Sequence, residues 1–501
     1  MDIKMIYNIK CKICFCLYFL LLSLNSSILG QTNREIKDTR PNILFMIVDD
    51  WSYPHASAYG DEVVETPTFD RIAEEGILFH HAFVTASSCT PSRSSILTGQ
   101  PIHKLEEGGV LASFLPSKFP NYVNLLEESG YIAGLNKKEK GWSPGIPEKG
   151  GYTRNPAGPR YAISEFIEEI KNSDQPYVFW FGGSHGDVHR PYKPSSGQEA
   201  GLEMNKVNVP EFLPDVPEIR SDLLDYYYEV QRFDREAAAL LEKLENIGKL
   251  ENTLIVYTSD NGMPFPRAKA NVYDFGTRMP LAISWTGKVE GGRKTSQFVS
   301  FADFAPTFLE VAGLDIPESM TGKSLVPLFK AESVDDQTTN PMANHPREQV
   351  FIEHERHAWV RAGNKGYPVR AIRTKDFLYV QNIKPDRWPA GDPHWVATQG
   401  PYGDIDSSPS KTYLMEHQND SEITLFFKLA VGKRPHEELY DISEDPYQLN
   451  NVATKPEYQN ELKTLQQKLK NWQYETSDPR FIHKDYRKFE TYPYYIPPMR
   501  R

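Results

Sequence analysis

The chain has 501 residues, 39% of them hydrophobic and 25% charged, and a formal net charge of −11. With 56 Lys+Arg against 67 Asp+Glu, it lacks the basic footprint that nucleic-acid binding requires, and that function is excluded. It is too long for one hydrophobic core and implies one large and one smaller domain.

The chain opens "MDIKMIYNIKCKICFCLYFLLLSLNSSILG". Lys4, Lys10 and Lys12 precede an apolar run over residues 13–24, and small or polar residues follow, which predicts a signal peptide over residues 1–30. The run is shorter than the roughly 20 residues of a spanning helix. After cleavage no stable membrane insertion is expected, and the product is expected to be secreted or periplasmic. Losing Lys4, Lys10, Lys12 and Asp2, a net of +2, moves the charge from −11 to −13. Cys11, Cys14 and Cys16 also fall in this segment, leaving Cys89 with no disulfide partner. Alone, such a residue reads as a small buried hydrophobe.

Short apolar runs follow, each ending in a polar cluster. "NILFMIV" (Asn42–Val48) leads into Asp49 and Asp50. "YVFWF" (Tyr177–Phe181) leads into a loop with His185, Asp187 and His189, and "TLIVY" (residues 253–257) into Asp260 and Asn261. Continuous β-branched and aromatic runs suit parallel strands covered on both faces. Between them, Leu224, Tyr227, Val230, Ala237, Leu240, Leu241 and Leu244 repeat at helical spacing, from an N-cap expected at Ser221 to a stop at Gly248. Alternating strands and helices predict an open α/β sheet, whose active site lies beyond the carboxyl ends of its strands. Asp49, Asp50, His189, Asp260 and Asn261 all fall at such ends.

The pattern changes after about residue 345. "AIRTKDFLYVQNI" (residues 371–383) reads as a hairpin-like strand region. Residues 456–476 read as an amphipathic helix with Leu462, Leu465, Leu469 and Trp472 on one face. Residues 31–345 are therefore assigned to a large catalytic domain and 346–501 to a smaller α+β domain closing the pocket.

The segment "CTPSRSSILTG", residues 89–99, fits C-x-P-S-R-x-x-x-L-T-G. By these residues the chain strongly resembles the type I sulfatases. The resemblance implies an alkaline-phosphatase-like α/β fold: an open, mixed, mostly parallel sheet flanked by helices, with a C-terminal domain built on an antiparallel sheet. It implies that a separate maturation enzyme converts Cys89 to formylglycine. Pro91 suits the first turn of a helix, placing residue 89 at its positive end, and Arg93 adds a fork of donors for an anion. "PNILFMIVDDW" and "LIVYTSDNGMPFPRAK" are similar to the family's metal segments. They imply Asp49, Asp50, Asp260 and Asn261, with residue 89, as ligands of one Ca2+, and Lys269 as a sulfate contact. "DVHRPY" implies His189 as the leaving-group acid. Oxygen ligands of this kind suit a hard cation.

One segment departs from the family pattern. "GYIAGLNKKEKGW", residues 130–142, carries Trp142 where a histidine is common. Lys140 is favoured over Lys138 as a further sulfate lysine, and the base that deprotonates the aldehyde hydrate is unassigned. Residues 355–393, dense in Arg, His and Trp, resemble the sulfamidase-like subgroup. They read either as a domain-packing loop or as a sugar pocket in which Trp388 stacks while His357 and Arg387 hold polar groups. The expected substrate is a sulfated glycan, either algal such as ulvan or carrageenan, or a glycosaminoglycan such as heparan. The alternatives are an N-sulfoglucosamine sulfamidase, a phosphate or phosphonate monoester hydrolase of the same superfamily, and a silent carbohydrate-binding protein.

Overall fold

Strand Asn42–Val48 (β1) is buried at all seven positions. Ile43, Phe45 and Ile47 join one apolar cluster while Leu44, Met46 and Val48 join another. Both faces are therefore covered, as the unbroken apolar run predicts, and each such side chain contributes roughly 1.5–3 kcal/mol by its burial. The computed structural model describes residues 39–136, 145–182, 188–330, 347–395, 400–484 and 486–495. The expected signal peptide, Lys138, Lys140, Trp142, His185 and Asp187 lie outside those residues.

Around β1 run Ile77–Phe83 (β2), Ile132–Asn136 (β3), Tyr177–Phe181 (β4), Thr253–Ser259 (β5), Leu281–Trp285 (β6) and Arg293–Ser300 (β7), in the order β3-β4-β1-β5-β6-β2-β7. Their pairings are parallel except where β6 runs against β5 and β2. The sheet is thus mixed and mostly parallel. Gln349–His354 (β8), Val369–Thr374 (β9), Phe377–Asn382 (β10) and Glu437–Asp441 (β11) form a second, antiparallel sheet in the order β11-β10-β9-β8. Every strand of the first sheet precedes residue 345 and every strand of the second follows it. The assigned boundary itself falls within 331–346, outside the described residues. Arg40–Arg501 forms one compact unit containing both sheets.

Five helices matter for the site: Pro67–Glu74 (α1), Cys89–Thr98 (α2), Pro217–Asn246 (α3), Pro409–Glu416 (α4) and Gln459–Glu475 (α5). Helix α3 starts at Pro217, with Val216 as an extended N-cap, five residues before the N-cap expected at Ser221. Pro217 supplies a preset helical φ at the first position and needs no amide donor, so it outcompetes the serine. Its far end is as expected, with Gly248 in the left-handed region at φ 67. Asp234 of α3 accepts the amides of Thr68 and Phe69 at 2.9 Å, capping α1 from a distance where Thr66 supplies no side-chain cap. In the second sheet, Leu462, Leu465 and Leu469 of α5 pack with Ile372, Tyr379 and Leu439.

Candidate active site

The parallel pairing of β1 with β5 sets Val48 opposite Ser259, so Asp49, Asp50, Asp260 and Asn261 leave the sheet side by side. The amide of Asp260 donates to the Val48 carbonyl at 3.0 Å, and that of Trp51 to Ser259 Oγ at 2.9 Å. Asp50 sits in the left-handed region, φ 61, which aspartate tolerates better than most residues. After β2 the chain reaches α2, which begins at Cys89 with Pro91 in its first turn. Arg93 lies one turn on and so shares a face with residue 89.

These groups meet in a buried cluster. The ligand atoms of Asp50, Cys89 and Asp260 lie within 4.8 Å of one another. Arg93 donates through Nε to Asp260 Oδ2 at 2.8 Å and contacts Asp49 through Nη2. Asn261 Nδ2 donates to Asp50 Oδ1 at 2.6 Å, while Asn261 Oδ1 is buried without a hydrogen bond among the described residues. Lys269 Nζ donates to Asp50 Oδ2 at 2.8 Å and lies 3.3 Å from Asp406 Oδ2. The Lys269 loop is fixed to the segment before α2, since the amide of Ala270 donates to the Ser87 carbonyl at 2.9 Å.

Charge is short of balance here. Among the described residues, Asp49, Asp50, Asp260 and Asp406 face two permanent cations, Arg93 and Lys269. Burial pushes the Asp50 carboxyl up, against the pull of Lys269. Burial, with Asp260 and Asp50, pushes the Cys89 thiol well up. Burial opposes the charge on Lys269, yet Asp406 and Asp50 outweigh it and hold the ammonium well above its ordinary range. Two negative charges in excess, with an orphaned amide oxygen beside them, fit a hard divalent cation. Asp49, Asp50, Asp260 and Asn261 would hold it together with residue 89.

His189 is exposed at the rim, and its Nδ1 lies 2.6 Å from the carbonyl of Arg190. A carbonyl only accepts, so Nδ1 carries the hydrogen and Nε2 is the nitrogen left for a substrate. Arg190 is fixed by Asp222 of α3 through bonds of 2.7 and 2.8 Å.

A family model described as Sulfatase matches residues 41–314. The chain belongs to the sulfatase family. A second model, described as N-sulphoglucosamine sulphohydrolase, C-terminal, matches residues 267–389. The sulfatase is 28% identical to an ulvan-active sulfatase of Formosa agariphila over 491 residues, covering 88% of this chain and 76% of the relative. It is also 28% identical to human N-sulphoglucosamine sulphohydrolase over 489 residues, covering 87% of this chain and 91% of the relative. Among solved structures, one in complex with its substrate D-glucosamine-2-N,6-O-disulfate shares the fold. That match has a TM-score of 0.64 and 22% identity, over 89% of this chain and all of that one. The protein is accordingly a sulfuric ester hydrolase.

Of the three residues assigned to sugar binding, the sulfatase brings one to the cluster. His357 Nδ1 is 2.8 Å from the hydroxyl of Ser88, the N-cap of α2, and both are buried. Burial lowers the His357 pKa, so the ring is neutral near pH 7. Arg387 instead donates to the Gly366 carbonyl at 2.7 Å and pairs with Glu490. Trp388 packs edge-on against Tyr402, with ring centroids 6.0 Å apart, in an apolar cluster with Ala390 and Leu414. For these two, the domain-packing reading describes the contacts. Asp406, in "YGDIDSSPS", was not selected from the sequence at all. No local spacing marks it, and only the tertiary fold brings it to Lys269.

Proposed function

We propose that this sulfatase is exported and removes sulfate from glycans, with Cys89 matured to formylglycine and one Ca2+ held at the Asp50–Asp260 cluster. The observation that carries this reading is the convergence of Asp50, Cys89 and Asp260 within 4.8 Å beside Lys269. The hydrate of formylglycine would supply one hydroxyl to attack sulfur and a second to expel sulfate, and the cation would polarise the sulfuryl oxygens.

The chain's own residues do the rest. Arg93 and Lys269 are buried, and they would donate to the sulfuryl oxygens, where low local dielectric strengthens them. His189, as an imidazolium carrying a second proton at Nε2, would give that proton to the departing sugar oxygen. A sulfated polysaccharide or its oligosaccharides is the substrate class favoured by the ulvan-active relative. An N-sulfated glucosamine is the second reading, favoured by the C-terminal match over residues 267–389.

The test is sulfate release from defined sulfated oligosaccharides, ulvan- and heparan-derived, alongside mapping of residue 89 by mass spectrometry. Activity should follow the aldehyde content at residue 89 and disappear with exhaustive chelation. Full turnover from metal-free protein bearing an unmodified thiol would refute the reading.

A further inference from the structure

Asp406 is out of place in a pocket that must hold a sulfate. Its side chain is 10% exposed and lies 3.3 Å from Lys269 Nζ, the lysine that also binds Asp50. A carboxylate beside a bound sulfuryl group repels it, so this residue weakens the sulfate site that Lys269 builds. Its Oδ2 has Lys269 Nζ as its ion-pair partner, but accepts no well-aligned hydrogen bond among the described residues. Lys269, His189, His357 and Arg190 all act on it electrostatically, so it lies in the field of both the lysine and the leaving-group histidine.

The position is actively held. Lys411 of α4 donates from Nζ to the carbonyls of Tyr402 and Ile405 at 3.1 and 2.8 Å, clamping the loop directly before Asp406. Ser410 at the start of α4 donates its amide to Asp222, which also fixes Arg190 next to His189. One buried carboxylate therefore ties the Asp406 loop to the His189 loop. A side chain held this firmly, with acceptor capacity unused, is built for a donor that arrives with the substrate.

On the sulfatase reading above, we infer that Asp406 is a specificity-determining residue. It accepts a hydrogen bond from a neutral hydroxyl or an N–H of the sugar ring that carries the sulfate. The same carboxylate would repel a uronate, so the sulfated ring in the pocket is a neutral or amino sugar. The reading donor sits on the same sugar as the leaving oxygen that His189 would protonate.

The experiment compares wild-type enzyme and Asp406→Asn on N-acetylglucosamine 6-sulfate, its monodeoxy analogues, a 2-sulfated uronic acid and 4-nitrophenyl sulfate. One hydrogen bond to a charged group is worth about 10–100-fold. Asp406→Asn should lose that factor in kcat/KM on the amino-sugar sulfate beyond whatever it loses on the aryl sulfate. One deoxy analogue should lose the same factor with wild type and be insensitive to Asp406→Asn. The preference over the uronic acid sulfate should narrow in the variant. Equal losses on sugar and aryl sulfates would overturn the inference and make Asp406 a positioning residue for Lys269. So would a deoxy series in which the wild type loses nothing, a result that does not depend on how the variant folds. Failure of wild type on every sulfate ester would instead remove the sulfatase reading itself.

Discussion

At the scale of single residues, the two sides of the sulfate are served by different chemistry, and kinetics can separate them. His189→Ala should lower kcat on sugar sulfates by about 10²–10⁴-fold, because a sugar alkoxide leaves poorly without a proton. On an aryl sulfate the loss should be far smaller, since a phenolate leaves unaided. Lys269→Ala removes a contact any sulfate ester needs and should depress both substrates alike. A leaving-group-independent loss for His189→Ala would exclude it as the acid. The candidate ligands were legible because each follows a strand directly in sequence: Asp49 and Asp50 after β1, Asp260 and Asn261 after β5. Cys89 and Arg93 were legible through a contiguous motif. Asp406 and the contact of His357 with Ser88 depend on residues far apart in the chain, 137 positions for Lys269 and Asp406 by their numbers, and no local pattern announces such a meeting.

At the scale of elements, one carboxylate holds three pieces together. Asp222 of α3 binds Arg190 through two bonds and accepts from the amide and hydroxyl of Ser410 on α4. Removing one partner of a buried pair costs about 3–5 kcal/mol, because the other charge stays behind unpaired. Asp222→Ala should therefore lose that much in denaturant unfolding and also lose turnover, since the loops of His189 and Asp406 are both released. Unchanged stability would show that Arg190 has another buried partner. The strands β1, β4 and β5 were readable because both-sided burial demands unbroken apolar runs. Strand β6, which makes the sheet mixed, carries the run "LAISW" and gives no sign of its direction. Direction is set by the connection, and periodicity does not record it. The helix start at Pro217 was missed for a related reason, because a helix opened by proline at its first position needs no polar cap to advertise it.

At the scale of the whole molecule, buried ions join the last segment of the chain to the second sheet and that sheet to α2. Arg370 of β9 binds Asp478 at 2.7 Å and Glu355 at 2.8 Å, and Arg480 closes on the same Glu355. Glu353 of β8 accepts from Ile102 and pairs with His103, just beyond α2. Asp478→Ala should destabilise the fold by removing one of the buried partners of Arg370, which keeps Glu355, read as a lower denaturation midpoint. Acid should act earlier than this network does. Burial lowers the pKa of His55 and of His354 from 6.5 to about 4. The unfolded chain thus takes up those protons at higher pH than the folded one, and stability should fall as pH drops from 6.5 to about 4. Asp478 follows below that: burial raises its pKa, but Arg370 outweighs this and holds it at about 2, so its contribution goes between 3.8 and about 2. A melting temperature flat from pH 7 to 4 would contradict this order. The way α2 is enclosed also bears on time. Every residue from Thr90 to Thr98 is buried, and the segment before Cys89 is closed by β8, where the amide of Glu353 donates to the Thr85 carbonyl at 2.8 Å. On the proposed maturation of Cys89, an enzyme that reads Pro91 and Arg93 would need them in the open and so would act before this closure. Some 260 residues separate Cys89 from β8, which at about 5–20 residues per second leaves roughly 13–52 s of synthesis. Active-enzyme yield would then be set by a race between that proposed modification and the arrival of the second sheet, and a chain that folds first would keep its thiol.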